Sequence, residues 1–215
     1  MRLVSRENQV ADFTAKDVQD LRKATGVGMM DAKKALTETG GDAEKAAELL
    51  REKGLADVAK RADRDANQGV VGYYLHTPIG YPTIGVLVEL ASETDFVAKS
   101  EEFQQVANDI AMHISWSDPR WIVTDEVPED AQGKERELIA RQAAAEGKPE
   151  NIIEKIVEGK MGSFYEDNVL YEQQFVNTQK FEGTVGELVT QLAAKMGENI
   201  AVRRFARLAV GEREL

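Results

Sequence analysis

Cysteine is absent from the 215 residues, which removes disulfides, thiolate metal ligands and thiol nucleophiles together. Histidine occurs only at positions 76 and 113, too few to build an imidazole metal cluster. No apolar run approaches the ~20 residues of a bilayer-spanning helix. Residues 1–10 are polar and lack the apolar stretch of a secretory signal. No membrane contact is expected, and the compartment these features point to is the cytoplasm. Positive charge is also in deficit, 27 Lys and Arg against 38 Asp and Glu for a net −11. That balance argues against broad nucleic-acid binding, which needs clustered cations to release counterions. Motifs for group transfer are missing too. Thr25-Gly26-Val27-Gly28 is followed by Met29-Met30 where a phosphate loop needs lysine, and no G-x-S-x-G or H-E-x-x-H occurs. No cofactor and no enzymatic activity are expected.

What is present begins with a helical module. Thr14 with Asp17 resembles a capping box, and Phe13 with Val18 a hydrophobic staple. Val18 and Leu21 share a face, and Thr25-Gly26 closes the first helix. A second helix is expected over Met29–Thr39 before Gly40-Gly41. A third starts at the Asp42 cap, presents Ala46, Ala47, Leu49 and Leu50, and stops at Gly54. The expected organisation is a flexible leader over 1–12, a three-helix domain over 13–54, a charged linker helix over 55–68 and a core over 69–215. Lys60, Arg61 and Arg64 in the linker read as a solvated helical face rather than a nucleic-acid patch.

From residue 69 the period changes. Val71, Tyr73 and Leu75 alternate as a half-buried strand, Pro78–Pro82 turns the chain, and the partner strand Thr83–Leu90 is apolar as a central strand should be. His76 falls at the loop end of this hairpin. After Ser100 a helix carries Phe103, Val106, Ala107, Ile110, Ala111 and Ile114 to about Ser115, with His113 suited to its C-terminal dipole. Residues 116–130 read as a loop. A helical hairpin is expected over about 133–165, divided at Gly147-Lys148-Pro149 and seamed by Ile152, Ile153, Ile156 and Val157. Val169–Val176 reads as a strand. Thr184 and Glu187 cap a helix that Gly197 ends. The last element alternates, Ile200, Val202, Ala206, Leu208 and Val210 on one face and Arg203, Phe205 and Arg207 on a solvated basic face. A helical module followed by antiparallel strands mixed with helices is an α+β architecture.

The stretch Glu93-Thr94-Asp95-Phe96-Val97-Ala98-Lys99 lies between the central strand and the long helix. Connections lie on the surface and often carry function. The residues alone leave two readings: Phe96 folds into the core while Asp95 favours the helix N-terminus, or both face a partner. Glu93 and Asp95 as a hydrolytic carboxylate pair is weak, because acids two apart are common.

Taken in order, the segments resemble the elongation factor Ts family. Leu21-Arg22-Lys23-Ala24-Thr25-Gly26-Val27-Gly28-Met29-Met30-Asp31-Ala32-Lys33-Lys34-Ala35-Leu36 is similar to its N-terminal signature, and Glu93–Lys99 to its second. Gly147-Lys148-Pro149, Val157-Glu158-Gly159-Lys160 and Gly197-Glu198-Asn199-Ile200 follow in the family's order. The resemblance covers Phe13 to Val210. It implies a ubiquitin-associated-like N-terminal bundle that docks on the GTPase domain of elongation factor Tu through Arg22, Met29 and Met30. Bundle core remains the other reading for at least one methionine. It further implies that Thr94, Asp95, Phe96 and Val97 dislodge the Mg²⁺ of bound GDP, with His76 as an added contact. Many relatives carry Cys where Ala32 stands, so that thiol is dispensable for exchange. Only one Thr-Asp-Phe-Val segment is present, as in the family's short form, for which a homodimer is expected. Without cysteine the dimer must be noncovalent, and the C-terminal strand is its candidate contact. The rival reading is an RNA-binding accessory protein of translation using Arg203 and Arg207.

Overall fold

Local caps start and stop the first helix, and the Asp42 side chain opens the third. The computed structural model describes residues 13–212, so the leader expected over 1–12 lies outside the described residues. Helix α1 (Ala15–Thr25) is opened by Thr14: its hydroxyl accepts from Asp17 N–H at 3.3 Å, and Thr14 N–H donates to Asp17 Oδ2 at 2.6 Å. Gly26 at φ +74° ends it, returning its N–H to Arg22 O. This is a conformation that a side chain would strain. Helix α2 (Met29–Glu38) and helix α3 (Ala43–Arg61) complete the bundle. Val18, Leu21, Ala32, Ala35, Leu36, Ala46 and Leu50 form its core, with Phe13 and Val27 packed on the edge. Ala32 is wholly buried there.

Helix α3 does not stop at Gly54 as expected. A mid-helix glycine costs only about 1 kcal/mol relative to alanine, and the strong helix formers Leu55, Ala56, Ala59 and Lys60 follow it. Of the segment expected as a linker helix over 55–68, residues 55–61 are therefore the last turns of α3, while 62–67 are not helical, so Arg64 does not share a helical face with Lys60 and Arg61. The chain divides into two compact units, one running to Ala62 and including Ala194–Gly197, the other comprising Asp63–Ala193 and the residues from Glu198 onward.

The second unit is built on an antiparallel sheet, β1 (Gln68–His76), β2 (Ile84–Ser92) and β3 (Ala201–Ala209), in that spatial order. Tyr73 stands opposite Leu87, and Leu87 opposite Ala206. A single-turn helix α4 (Asp95–Ala98) leads into helix α5 (Glu101–Ser117), which covers one face of the sheet. Val86, Val88 and Leu90 from β2 are buried with Phe103, Ala107, Ile110 and Ile114 from α5. Contact is close at Gly72, where a Cβ would fall 2.5 Å from the Ala107 backbone. Beside it, the Tyr73 N–H on the outer edge of β1 is satisfied by Asn108 Oδ1 at 2.9 Å.

This packing reverses the face expected of β1. Val71, Tyr73 and Leu75 are exposed, and the covered side holds Gly72 and Tyr74. A helix backbone that close leaves no room for the larger apolar side chains. The parity expected of β3 also breaks. The register shifts so that Glu89 faces Arg204 while Leu90 faces Val202, leaving Arg203 in a bulge. Val202 points into the core, but Ala206 and Leu208 point out. Arg207 is consequently not solvated: its side chain is 11% exposed and pairs with Asp118 at 3.3 Å and with Glu212.

Helices α6 (Glu129–Ala145) and α7 (Glu150–Asn168) form the helical hairpin, longer at both ends than expected. Ile139, Val157 and Met161 make its seam, Ile153 and Ile156 flank it, and Ile152 is exposed. The stretch 116–130 is not all loop, since α5 continues to Ser117 and a 3₁₀ turn occupies Thr124–Glu126. Nor is 169–176 a strand. It contains a 3₁₀ turn, Leu170–Glu172, flanked by single bridges Trp121–Val169 and Gln174–Thr184. Val169, Leu170 and Phe175 are buried as a strand's would be, but no neighbouring strand extends the pairing. Helix α8 (Val185–Met196) carries the expected capping box, Thr184 N–H to Glu187 Oε2 at 2.9 Å and Glu187 N–H to Thr184 Oγ1 at 3.1 Å. Gly197 at φ +73° follows it.

His113 is fully buried rather than placed at the α5 terminus for its charge. Its Nδ1 accepts from Val176 N–H at 3.3 Å, so Nε2 carries the proton that faces Gln173 Oε1 at 2.9 Å. Gln173 in turn donates to Asp167 O at 2.9 Å. Burial pushes the His113 pKa down, outweighing the opposing Gln173 bond, and favours the neutral ring. An unfolded histidine takes a proton near pH 6.5, so below that value the unfolded chain gains a proton before the fold does. The contribution of His113 is therefore complete above about pH 6.5 and is lost as pH falls through the window beneath it. Urea midpoints should decline from about pH 7.5 to about pH 5.5 more steeply in the wild type than in His113→Gln. Equal slopes would rule out a ring buried in the neutral form.

Candidate functional site

The Thr94–Val97 segment is a tethered turn. Thr94 caps α4, its hydroxyl accepting from Val97 N–H at 3.5 Å. Behind the cap, Glu198 Oε2 accepts from the N–H groups of Glu93 and Thr94, each at 3.1 Å, and Glu198 Oε1 accepts the Thr94 hydroxyl proton at 2.5 Å. A reciprocal tie runs the other way, Asn199 N–H donating to Glu93 Oε1 at 2.7 Å. Arg64 lies 3.5 Å from Glu93 Oε2, and its carbonyl accepts from Asn199 Nδ2 at 2.7 Å. Ser92 Oγ donates to Thr94 O at 3.0 Å and closes the inner side.

From this base the turn projects outward. Phe96 is 83% exposed, the most exposed of the large apolar side chains described, while Ala98 is buried against the sheet. Of the two readings open to Phe96, the core one is excluded. Asp95 is also exposed and meets Lys99 Nζ at 2.5 Å, one helical turn on. The Lys99 ammonium holds the Asp95 carboxyl below the usual carboxylate range. Glu93 and Asp95 are not a working pair, since Glu93 engages Asn199 and Arg64 while Asp95 engages Lys99. Among the described residues no group of three or more His, Cys, Asp and Glu is placed to hold a metal ion. No described helix is long and apolar enough to cross a membrane.

His76 lies at the far end of the same sheet. It faces Ile84 where Gln68 faces Ser92, so β2 separates it from the Phe96 turn by about 25 Å of strand rise. Its Nδ1 is 3.4 Å from the Tyr74 hydroxyl. The two line an open groove of about 580 Å³ with Met112, Trp116, Val176 and Gln179. Arg22, Met29 and Met30 belong to the first unit and are all exposed, the methionines by 48% and 74%. Neither methionine is bundle core.

Two residues of these surfaces were not singled out by sequence reasoning. Glu198 stood only inside the family-like segment Gly197–Ile200 with no role attached, because the groups it binds lie more than a hundred positions away. Trp116 was placed in a loop, yet it lies on the last turn of α5 and is 78% exposed beside His76. An isolated tryptophan flanked by Ser115 and Ser117 was the available hint.

Comparison with known proteins places the chain in a family. The family described as Elongation factor TS matches residues 4–182. Elongation factor Ts of Thermosipho melanesiensis is 48% identical over 200 residues, covering 93% of this chain and all of that protein. That of Geobacter metallireducens is 51% identical over 200 residues, 93% of this chain and 90% of the relative. That of Fervidobacterium nodosum is 48% identical over 201 residues and is covered in full. With a match of this extent and identity, the chain belongs to the elongation factor Ts family.

Proposed function

We propose that this translation elongation factor accelerates guanine-nucleotide exchange on elongation factor Tu, with Phe96 as the inserted group. The observation that carries the reading is Phe96 itself: a large aromatic, 83% exposed, on a turn tied down from behind. Burying that ring against a partner is worth roughly 1.5–3 kcal/mol, which can support displacement of a neighbouring element. GDP is held in such GTPases by a phosphate-binding loop and by Mg²⁺ bridging phosphate oxygens. A ring wedged beside that loop shifts the backbone that positions the ion. Asp95 acts in the same place, but its charge is shared with Lys99, so it competes for hydrogen bonds more than it repels the nucleotide. Linkage makes the coupling reciprocal: a factor that weakens GDP is weakened equally by GDP. The protein therefore lowers a barrier, and the supply of GTP sets the direction.

Arg22, Met29 and Met30 dock the first unit on the GTPase domain. Flexible thioethers adapt to a partner surface, and their exposure supports that role. His76, with Trp116 beside it, offers a second contact. The RNA-binding alternative is weakened at Arg207, whose side chain is drawn inward to Asp118 and Glu212.

The homodimer is assigned to the open face of the sheet. Val71, Tyr73, Leu75, Leu87 and Leu208 are each more than half exposed on it. A contiguous apolar patch of this kind marks an interaction surface. A second copy is the occupant the charges favour. The face carries the neutralised pair Arg204–Glu89 at 2.6 Å, so two chains of net −11 meet there with little repulsion.

Release of a fluorescent GDP from elongation factor Tu tests the exchange reading. The wild type should accelerate it strongly, and Phe96→Ala should lower the limiting rate by about tenfold or more while binding persists. Acceleration that survives the substitution would remove Phe96 from the mechanism. Met29→Ala/Met30→Ala should instead raise the half-saturating concentration and leave the limiting rate alone, whereas an unchanged half-saturation would refute the docking role. In sedimentation, Ala206→Asp and Leu208→Asp should each convert a dimer to a monomer, and a persisting dimer would place the contact elsewhere.

A further inference from the structure

We propose that Glu198 is a positioning residue for exchange, holding the Phe96 turn in its projecting conformation before any partner arrives. The inference rests on the exchange reading above for its functional consequence, and on the hydrogen-bond geometry for the positioning itself.

Helix α4 is four residues long, far shorter than a helix that holds its shape unaided in water. Phe96 offers nothing to stabilise it, because its ring touches mostly solvent. Something else must fix the direction of the ring. On the C-terminal side the turn is pinned by burial of Ala98. On the N-terminal side the fixing group is the Glu198 carboxylate, which receives three donors from two consecutive residues, Glu93 N–H, Thr94 N–H and Thr94 Oγ1–H. Hydrogen bonds to a carboxylate are about twice as strong as neutral ones. The Thr94 hydroxyl relays the constraint, since the oxygen that donates to Glu198 also accepts from Val97 N–H across the turn. Other side chains also tie this turn, Ser92 Oγ to Thr94 O, Asn199 N–H to Glu93 Oε1 and Gln104 Nε2 to Ala98 O. Among the hydrogen bonds described, however, only the Glu198 carboxylate is reached by donors of both Glu93 and Thr94.

The carboxylate's reach matters more than its charge. A glutamine can offer its carbonyl oxygen to the two N–H groups and its amide to the Thr94 oxygen, preserving the contacts. An aspartate keeps the charge but retracts the oxygens by one methylene. The ranking Gln above Asp is what positioning demands, and a local-charge role would give the reverse.

The test combines GDP release with amide hydrogen exchange on the free full-length chain. Glu198→Ala should lower the limiting release rate by about 10- to 100-fold, with a smaller change in half-saturating concentration. Glu198→Asp should resemble Ala, and Glu198→Gln should restore most of the rate. Adding Glu198→Ala to Phe96→Ala should cost nothing further, because one acts through the other. In the free chain, Glu198→Ala should speed exchange at the Val97 and Ala98 amides while those of Ile110 and Ile114 in α5 stay protected, which also shows that the fold is intact. Unchanged protection at Val97 and Ala98 overturns the proposal whatever the release assay gives. Multiplying losses in the double variant, or a loss confined to half-saturation, overturns it as well. If the wild type fails to accelerate release, the exchange reading fails instead, and the amide protection still decides the positioning claim.

Discussion

The second unit depends on the close approach of α5 to the sheet at Gly72 and Ala107. A Cβ on Gly72 would meet the helix backbone at 2.5 Å, so the absence of a side chain there allows α5 to lie against β1. Several features follow from that contact. The helix covers one face of the three strands, which leaves Tyr73, Leu87 and Leu208 on the other face exposed. Its N-terminus follows directly on the α4 turn, so the position of α5 limits where Phe96 can project. Its last turns carry His113 into the core and Trp116 outward. A larger residue at 72 would lift the helix and disturb these placements together.

Exposed apolar surface has a thermodynamic cost, which makes its distribution informative. Single exposed leucines are ordinary, and Leu55, Leu138 and Ile152 are of that kind, but several of the large apolar exposures coincide with the surfaces described above: Met29 and Met30, Phe96 on its turn, Trp116 beside His76, and the open sheet face. Each group is backed by structure that would exist without it. Phe96 stands on the Glu198 clasp, and the sheet residues are held in register by both ladders. An aromatic presented on a pre-formed turn loses less entropy on insertion than one that must first be ordered.

Much of this was legible from local chemistry. Thr14, Gly26, Thr184 and Gly197 end or begin helices because their hydrogen bonds and dihedral preferences act within one turn. The strand–turn–helix setting of Thr94–Val97 was likewise readable. What escaped depends on distant neighbours. Gly54 looks like a stop, yet the helix formers after it carry α3 on to Arg61. The apolar run at 169–176 has the burial of a strand without partners to pair with. In β3 one bulged residue, Arg203, exchanges the faces of everything before it relative to everything after it. A strict alternation was therefore read as continuous, and Arg207 was put on the wrong side. His113 and Glu198 were misjudged or missed because the groups that define them, Gln173 and Glu93–Thr94, lie 60 and 104 or more positions away.

On the exchange reading proposed above, these placements bear on how the chain changes a rate. On that reading its coupling to nucleotide is bound by reciprocity. What it can supply is binding energy in a fixed direction. A flexible Phe96 would bury the same area on a partner but lose part of that gain in becoming ordered, and it could settle in orientations that displace nothing. A clasped turn removes that choice before the encounter. On the same reading, insertion strains the partner, and returning nucleotide relieves that strain. Rigidity on this side and strain on the other are the combination that makes an exchange factor act transiently. Under the positioning role proposed for Glu198, that rigidity comes from the carboxylate–amide clasp behind Phe96.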